Sequence, residues 1–522
     1  MPRVRRCLAI GVPCILPPLA QRAFAAGQHA EAGAEEEAVR SALSALDAGR
    51  GGSVRRAWRA SRAPAHARDA FTALRKVLQF HNYTQAAANA LVGAGSLAGQ
   101  GSWPRMSMPP EEAAGAQRRT TGGRASRVTA VLLGAFLFNA NLPAGALEEA
   151  LGGVRLVRDL AALGVLWRLG DAGAWRPLVQ VAPVAMGSQL SDLLLFVDWD
   201  ELRPWHQVMT ATIDTYALVR AQRLTPPGWA PRRVLDLCAG SGAQGLHAAA
   251  FFSQFRRTSV TLVDLNPRAV RFAKANVLLN SLPRVALHLG HLYDALPQQC
   301  SAGRCELDAH RFDLILANPP YVPSMGGGQM FVAGGSSGEA VTEQIVRGAP
   351  SALAPGGRLL LVANLANVHR GYPAKLRAWW SGSAHEGSAV ANKTAIGSAV
   401  DFGVSEDVAL AVAHGDVWTA DQYVDGFHGS EVVRNQYRGF LRRMGIASMT
   451  NGFIFLHRVP SSVEKCRARV QGARGLWHAL VDGSRADHNR ALARVATLLA
   501  AGSARNCPTE PTCPCARCIC KP

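Results

Sequence analysis

Asn318-Pro319-Pro320-Tyr321 stands directly after the apolar run Phe312–Ala317. These residue types suit chemistry on a planar nitrogen. The lone pair of a primary amide or exocyclic amine is delocalised, so the nitrogen is a weak nucleophile. A site acting on it needs acceptors for its N–H groups and a surface that holds its plane. The Asn318 side-chain oxygen and the Pro319 carbonyl can accept, Tyr321 can stack, and Pro320 stiffens the turn, so the acceptors are preorganised. No general base with a shifted pKa is required, because the nitrogen can shed its proton after it has reacted. The plain structural alternative is a proline-terminated strand with a capping asparagine.

A second group of residues precedes it. Asp236-Leu237-Cys238-Ala239-Gly240-Ser241-Gly242 closes one apolar run and opens a helical one, and Gly240, Gly242 and Gly245 match G-x-G-x-x-G. Read alone, that spacing fits a dinucleotide fingerprint, with glycines that let the backbone approach a ligand. Asp236 argues for another ligand. A carboxylate at the strand end would repel a pyrophosphate and welcome a cation. S-adenosyl-L-methionine carries an ammonium and a sulfonium and no phosphate. Asp264, followed by Leu265-Asn266-Pro267, can accept both hydroxyls of a ribose, which dinucleotide enzymes and methyltransferases both need. Its structural alternative is a helix cap before Pro267.

The elements that must position these groups alternate strand and helix from Val234 onward, the pattern of a parallel sheet covered on both faces. We place strands at Arg233–Leu237, Ser259–Asp264, Val285–Leu289, Phe312–Ala317 and Arg358–Ala363, with two more near Asp407–His414 and Phe453–Arg458. The prolines end the Phe312–Ala317 strand, since they lack an N–H and fix φ. Asn318 and Tyr321 therefore sit past a carboxyl end, where open α/β sheets bind ligands. Upstream, helical spacing predicts helices at Ala70–Phe80, Val128–Asn139, Ala144–Leu151 and Val157–Leu163. Two apolar runs, Val165–Leu169 and Pro177–Val181, flank Gly170-Asp171-Ala172-Gly173 and predict a hairpin. Helices followed by a hairpin read as a winged-helix-like unit, a scaffold or a nucleic-acid reader. Arg155, Arg158 and Arg168 are too few to choose the reader.

The stretch from about Val234 to Ala363 resembles the class I S-adenosylmethionine-dependent methyltransferases with an Asn-Pro-Pro-Tyr signature. Within them it is most similar to release-factor glutamine methyltransferases and their small-domain relatives. Asp236–Gly242, Val263–Pro267, Gly290–Pro297, Phe312–Pro323, Gly334–Gly338 and Ala354–Arg358 carry the likeness. It implies a Rossmann-like domain of seven strands and S-adenosyl-L-methionine as cofactor. It implies cofactor contacts from Asp236, Cys238, Ala239, Gly240, Gly242, Asp264, Leu265, His291, Leu292 and Asn318. It implies catalytic roles for Asn318, Pro319, Pro320 and Tyr321, and no metal. The acceptor it implies is a protein glutamine of release-factor type, with an exocyclic amine of ribosomal RNA or DNA as the alternative. The family has glycine where this chain has Cys238. It has aspartate after Gly290 to accept from the adenine amino group, where this chain has His291, with Asp294 three residues on as a substitute. The family also places a closing helix near His206 and Met209–Ala217. Two readings from other classes stay open: an NAD(P)-dependent oxidoreductase built on the three glycines, and a non-catalytic nucleic-acid-binding protein.

The 522 residues exceed one compact core. The domains expected are a targeting or disordered segment over 1–66, a helical and winged-helix-like recognition domain over 67–200, the methyltransferase domain over 201–460, and a basic helical extension with a Cys-rich tail over 461–522. Residues 1–30 hold Arg3, Arg5, Arg6 and Arg22 and no acid, as plastid or mitochondrial targeting segments do; a secretory segment, weakened by Pro13, Pro17 and Pro18, and a cytoplasmic protein are the alternatives. A net charge of +19 suits nucleic acid, ribosomes or acidic proteins as partners, or reflects arginine in peripheral segments. The longest apolar run, Val128–Phe138, is too short to span a bilayer and reads as a core helix. The 11 cysteines form no framework and suggest a reducing compartment; the five from Cys507 to Cys520 could hold zinc or a cluster through thiolates, but they lack histidines and paired knuckles and read rather as a disordered tail.

Overall fold

The computed structural model describes residues 58–59, 65–92, 127–140, 142–169, 174–187, 190–199, 207–223, 229–296, 298–301, 304–307, 311–326, 329–382, 408–426 and 430–458. The targeting segment, the Gly101–Gly123 linker, Trp205, His206, most of the Ser381–Ser398 insertion, the basic extension and the cysteine tail lie outside them.

The described residues of the N-terminal part form the strand β1 (Trp58–Arg59) and the helices α1 (Ala65–Phe80), α2 (Gln85–Val92), α3 (Arg127–Phe136), α4 (Ala146–Ala150) and α5 (Val154–Ala162). The α1 helix begins before the expected Ala70, because Ala65–Arg68 favours helix. The α2 helix was not anticipated, and Thr84 caps it by accepting from the Ala87 N–H at 3.1 Å. Two hairpins follow: β2 (Leu166–Leu169) with β3 (Ala174–Pro177), and β4 (Gln180–Val184) with β5 (Leu193–Val197). The hairpin expected between 165–169 and 177–181 is thereby corrected. Leu166–Leu169 pairs with Ala174–Pro177, and residues 180–184 pair onward with β5.

Next come α6 (Ile213–Gln222), β6 (Arg233–Leu237), α7 (Ala243–Phe252), β7 (Ser259–Asp264), α8 (Pro267–Leu279) and β8 (Val285–Leu289). A small hairpin, β9 (Gln298–Ser301) with β10 (Arg304–Leu307), leads to β11 (Phe312–Ala317), α9 (Ala340–Ala352) and β12 (Leu353–Ala366). The chain continues as α10 (Tyr372–Trp380), β13 (Val408–His414), β14 (Trp418–Thr419), α11 (Ala420–Asp425), α12 (Glu431–Arg443) and β15 (Ser448–Arg458). Neighbours in the sheet run β1-β8-β7-β6-β11-β12-β15-β13, with β14 on β15 making nine strands. Strands β8, β7, β6, β11 and β12 pair in parallel, and β15 is antiparallel to β12 and β13. This is the Rossmann-like methyltransferase sheet that the resemblance implied, extended by two short strands. The first four strand boundaries agree with the sequence reading.

Continuous apolar strands fit a sheet buried on both faces. Val234, Leu314, Leu316 and Leu360 face one core, and Leu235, Leu237, Ile315, Leu359 and Leu361 the other. The first core is shared with the N-terminal helices and hairpins. Side chains of α8 complete the junction. Asn276 accepts from the Phe196 N–H at 2.6 Å and donates to its carbonyl at 2.9 Å, and Asn280 treats Leu194 likewise at 3.0 and 2.6 Å. The two amides thus satisfy an edge of β5 that would otherwise be buried unpaired.

Asp198, fully buried, receives Arg268 in a two-point pair of 2.9 and 2.5 Å and also accepts from the Val208 N–H at 2.8 Å. Removing one partner strands a buried charge. Asp198→Ala should therefore lower stability by roughly 3 kcal/mol, measured as a shift of the urea midpoint at constant m-value.

Among the described residues, no helix is long and apolar enough to cross a membrane, and no group of His, Cys, Asp and Glu could hold a metal ion.

Candidate active site at the carboxyl ends of the strands

The turns after β6, β7, β8 and β11 converge on one cavity of about 260 Å³. Of the residues singled out in the sequence, Cys238, Ala239, Gly240, Asp264, Leu265, His291, Leu292, Asn318 and Pro320 line it. Asp236, Gly242, Pro319 and Tyr321 do not. Gly242 caps α7, and Pro319 is buried within its turn. Asp294 is 83% exposed and meets His291 at 3.8 Å, so the pair lies at the rim.

The glycine loop is held by carboxylates. Asp264 accepts from the Gly240 N–H at 2.7 Å and from the Asn266 N–H at 2.8 Å, and Asp236 accepts from the Gly245 N–H at 2.7 Å. The Gly242 N–H donates to the Ala239 carbonyl at 2.7 Å. A pyrophosphate site needs such loop N–H groups free and positive. Here the N–H groups of all three glycines, Gly240, Gly242 and Gly245, are occupied, and two of the three acceptors are acidic. Engaged glycine N–H groups beside two carboxylates suit a ligand with hydroxyl groups better than a pyrophosphate. At Gly245 a Cβ would lie 2.2 Å from the Leu262 side chain, so this glycine is explained by helix–strand contact rather than by a phosphate.

Cys238 adopts φ 55°, the left-handed region that favours glycine. The glycine usual in the family at this position has a conformational reason, and Cys238 keeps the backbone path at some cost. Leu292, on the adenine side of the implied site, also has positive φ, at 41°.

Asp236 is fully buried, and its second oxygen has no hydrogen-bond partner. Burial pushes its carboxyl up to about 8; the Gly245 N–H opposes this and the Asp264 charge adds to it. The folded chain therefore holds a proton that the unfolded chain releases from about pH 4 upward, so stability falls as pH rises from about 4 to 8. Denaturation of the wild type should lose at least about 1 kcal/mol between pH 5 and pH 8 on this account, and Asp236→Asn should remove that slope.

The acceptor turn rests on the segment between β11 and α9. The Val322 N–H donates to the Val332 carbonyl at 3.0 Å, the Gly334 N–H to the Val322 carbonyl at 2.9 Å, and the Ser324 N–H to the Gly335 carbonyl at 2.9 Å. From above, Tyr437 of α12 donates to the Pro323 carbonyl at 2.6 Å. The Asn318 side chain, half-buried, lines the cavity and makes no hydrogen bond to the described residues, so its oxygen and its amide are available to ligands.

The sequence reading did not find Gln207, Val208, Met330, Phe331 or Val341 in this wall, whereas the Met209–Ala217 segment does contribute Met209, Thr210, Ala211 and Thr215. The apolar pair Met330-Phe331 between two glycine-rich stretches was the available signal for the former group.

A family profile described as "Methyltransferase small domain" matches residues 210–384. The release factor glutamine methyltransferase of Bordetella pertussis is 32% identical over 198 residues, covering 36% of this chain and 67% of the relative. This chain belongs to the methyltransferase small-domain family. The ribosomal protein uL3 glutamine methyltransferase of Bradyrhizobium diazoefficiens is 35% identical over 142 residues, which is 25% of this chain and 40% of that one. The chain spans 40% and 52% of the lengths of the two uL3 relatives that match it first. Among solved structures, a SAM dependent methyltransferase from Agrobacterium tumefaciens aligns at 17% identity with a TM-score of 0.28, over 56% of this chain and 77% of that one.

Proposed function

We propose that the protein transfers a methyl group from S-adenosyl-L-methionine to a planar amide or amine nitrogen, with a glutamine of a translation protein as the acceptor. The observation that carries the donor is the glycine turn braced by Asp264 through the Gly240 N–H and by Asp236 through the Gly245 N–H of α7. The residues present fit the cofactor. Asp264 lines the cavity with lone pairs to spare for ribose hydroxyls, and Asp236, buried behind the cavity wall, braces the start of α7 through the Gly245 N–H. Leu265, His291 and Leu292 supply the wall for the adenine, with an imidazole nitrogen as the acceptor for its amino group. The cofactor supplies an electrophilic methyl carbon on a sulfonium.

On the acceptor side, Asn318 and the Pro319 carbonyl accept from the substrate N–H groups and aim the nitrogen at the donor cavity, while Tyr321 holds its plane. Hydrogen bonds that draw electron density toward the nitrogen strengthen as positive charge develops there, so they favour the transition state over the ground state. The proton is lost from the methylated nitrogen afterwards. The choice of glutamine is supported by the relatives named as uL3 and release factor glutamine methyltransferases.

Calorimetry tests the donor: S-adenosylhomocysteine should bind and NAD(P) should not. Tritium from labelled cofactor should enter protease-sensitive material in a translation extract. Label in RNase-sensitive material instead would move the acceptor to a nucleobase, and tight NAD(P) binding would sink the methyltransferase reading.

A further inference from the structure

Tyr321 does more than offer a ring. Its hydroxyl donates to the carboxylate of Asp214, a residue 107 positions away and 3% exposed. Asp214 stands in the first turn of α6, and its neighbour Thr215 lines the donor cavity, as does Ala211 just before the helix. One helical turn therefore touches the donor cavity through one residue and the acceptor turn through the next. Tyr423 of α11 also interacts electrostatically with Tyr321, and its hydroxyl accepts from the Asn364 amide at 3.0 Å. Among the described residues no basic side chain pairs with Asp214. Burial raises its carboxyl to about 6, and the Tyr321 hydroxyl opposes the rise.

We propose that Asp214 is a positioning residue for the transfer reaction: it fixes the Tyr321 ring over the acceptor and ties that ring to the wall of the donor cavity. A phenol rotating freely about its last two torsions would hold an acceptor plane poorly, and a loss of aim of about 1 Å costs roughly 100-fold in rate. The proposal rests on the methyl-transfer reading given above.

Its test combines calorimetry, steady-state kinetics and melting of the full chain. Asp214→Ala should lower kcat about 10- to 100-fold while the S-adenosylhomocysteine Kd stays within about threefold. Asp214→Asn, which keeps an oxygen for the phenol, should recover kcat to within about fivefold of wild type. Tyr321→Phe combined with Asp214→Ala should be no worse than the poorer single variant, in kcat and in melting temperature alike. Failure of the wild-type chain to bind S-adenosylhomocysteine would overturn the methyl-transfer reading and this role with it. Binding intact, with Asp214→Ala turning over within about twofold of wild type or with losses that multiply in the double variant, would overturn this role alone.

Discussion

Asn318→Ala is expected to lower methyl transfer by roughly 100- to 1000-fold, the range seen when one preorganised hydrogen-bonding group is removed from a reacting centre. The effect should be confined to transfer. Asn318 lines the cavity at its β11 side and makes no hydrogen bond to the described residues, so its removal leaves the glycine loop and Asp264 in place. Binding of S-adenosylhomocysteine should therefore change by no more than a few-fold, and the melting temperature hardly at all. Single-turnover transfer and calorimetry on the same preparation check both halves. Full activity in the variant would remove Asn318 from the site.

Gly334→Ala is expected to damage stability and activity together. A Cβ at that position would lie 2.4 Å from the Gly338 carbonyl oxygen, 2.7 Å from the Tyr321 Cα and 2.8 Å from the Pro320 carbonyl oxygen. All three are backbone atoms and cannot rotate away. Either the supporting loop or the Asn-Pro-Pro-Tyr turn must shift, and overpacking of that kind costs about 1–3 kcal/mol, sometimes more. A shift on the acceptor side of even 1 Å carries a further loss near 100-fold in transfer. The expected outcome is a lowered urea midpoint, kcat down by about two orders of magnitude, and a smaller loss of affinity for S-adenosylhomocysteine, because Pro320 and Phe331 line the cavity but the glycine loop and Asp264 lie on other strands. An unchanged kcat would show that the turn does not depend on this support.

Much of the site was legible from local pattern. Phe312–Ala317 is a buried strand because its residues are apolar throughout, and it stops at Asn318 because two prolines follow; no tertiary fact is needed for either statement. The strand ends bearing Asp236 and Asp264 are set in the same way. Register errors arose where the pattern was short. Residues 174–184 contain two strands separated by two residues, and alternation over so brief a span does not say where one pairing ends and the next begins.

The sequence by itself determined the sheet, the order of its strands along the chain, and the residues standing at their carboxyl ends, because strand periodicity, glycine turns and proline stops are local. Tertiary structure alone decided how those residues are used. It showed that Asp264 takes the Gly240 N–H and Asp236 the Gly245 N–H, which weakens the pyrophosphate reading of the glycine spacing. It showed that Cys238 occupies a left-handed position, that Gly334 supports the acceptor turn from below, and that Asp214 holds the hydroxyl of Tyr321. Each of these is a contact between groups far apart in the chain or a backbone angle imposed by packing, and neither kind leaves a periodic trace in the order of residues.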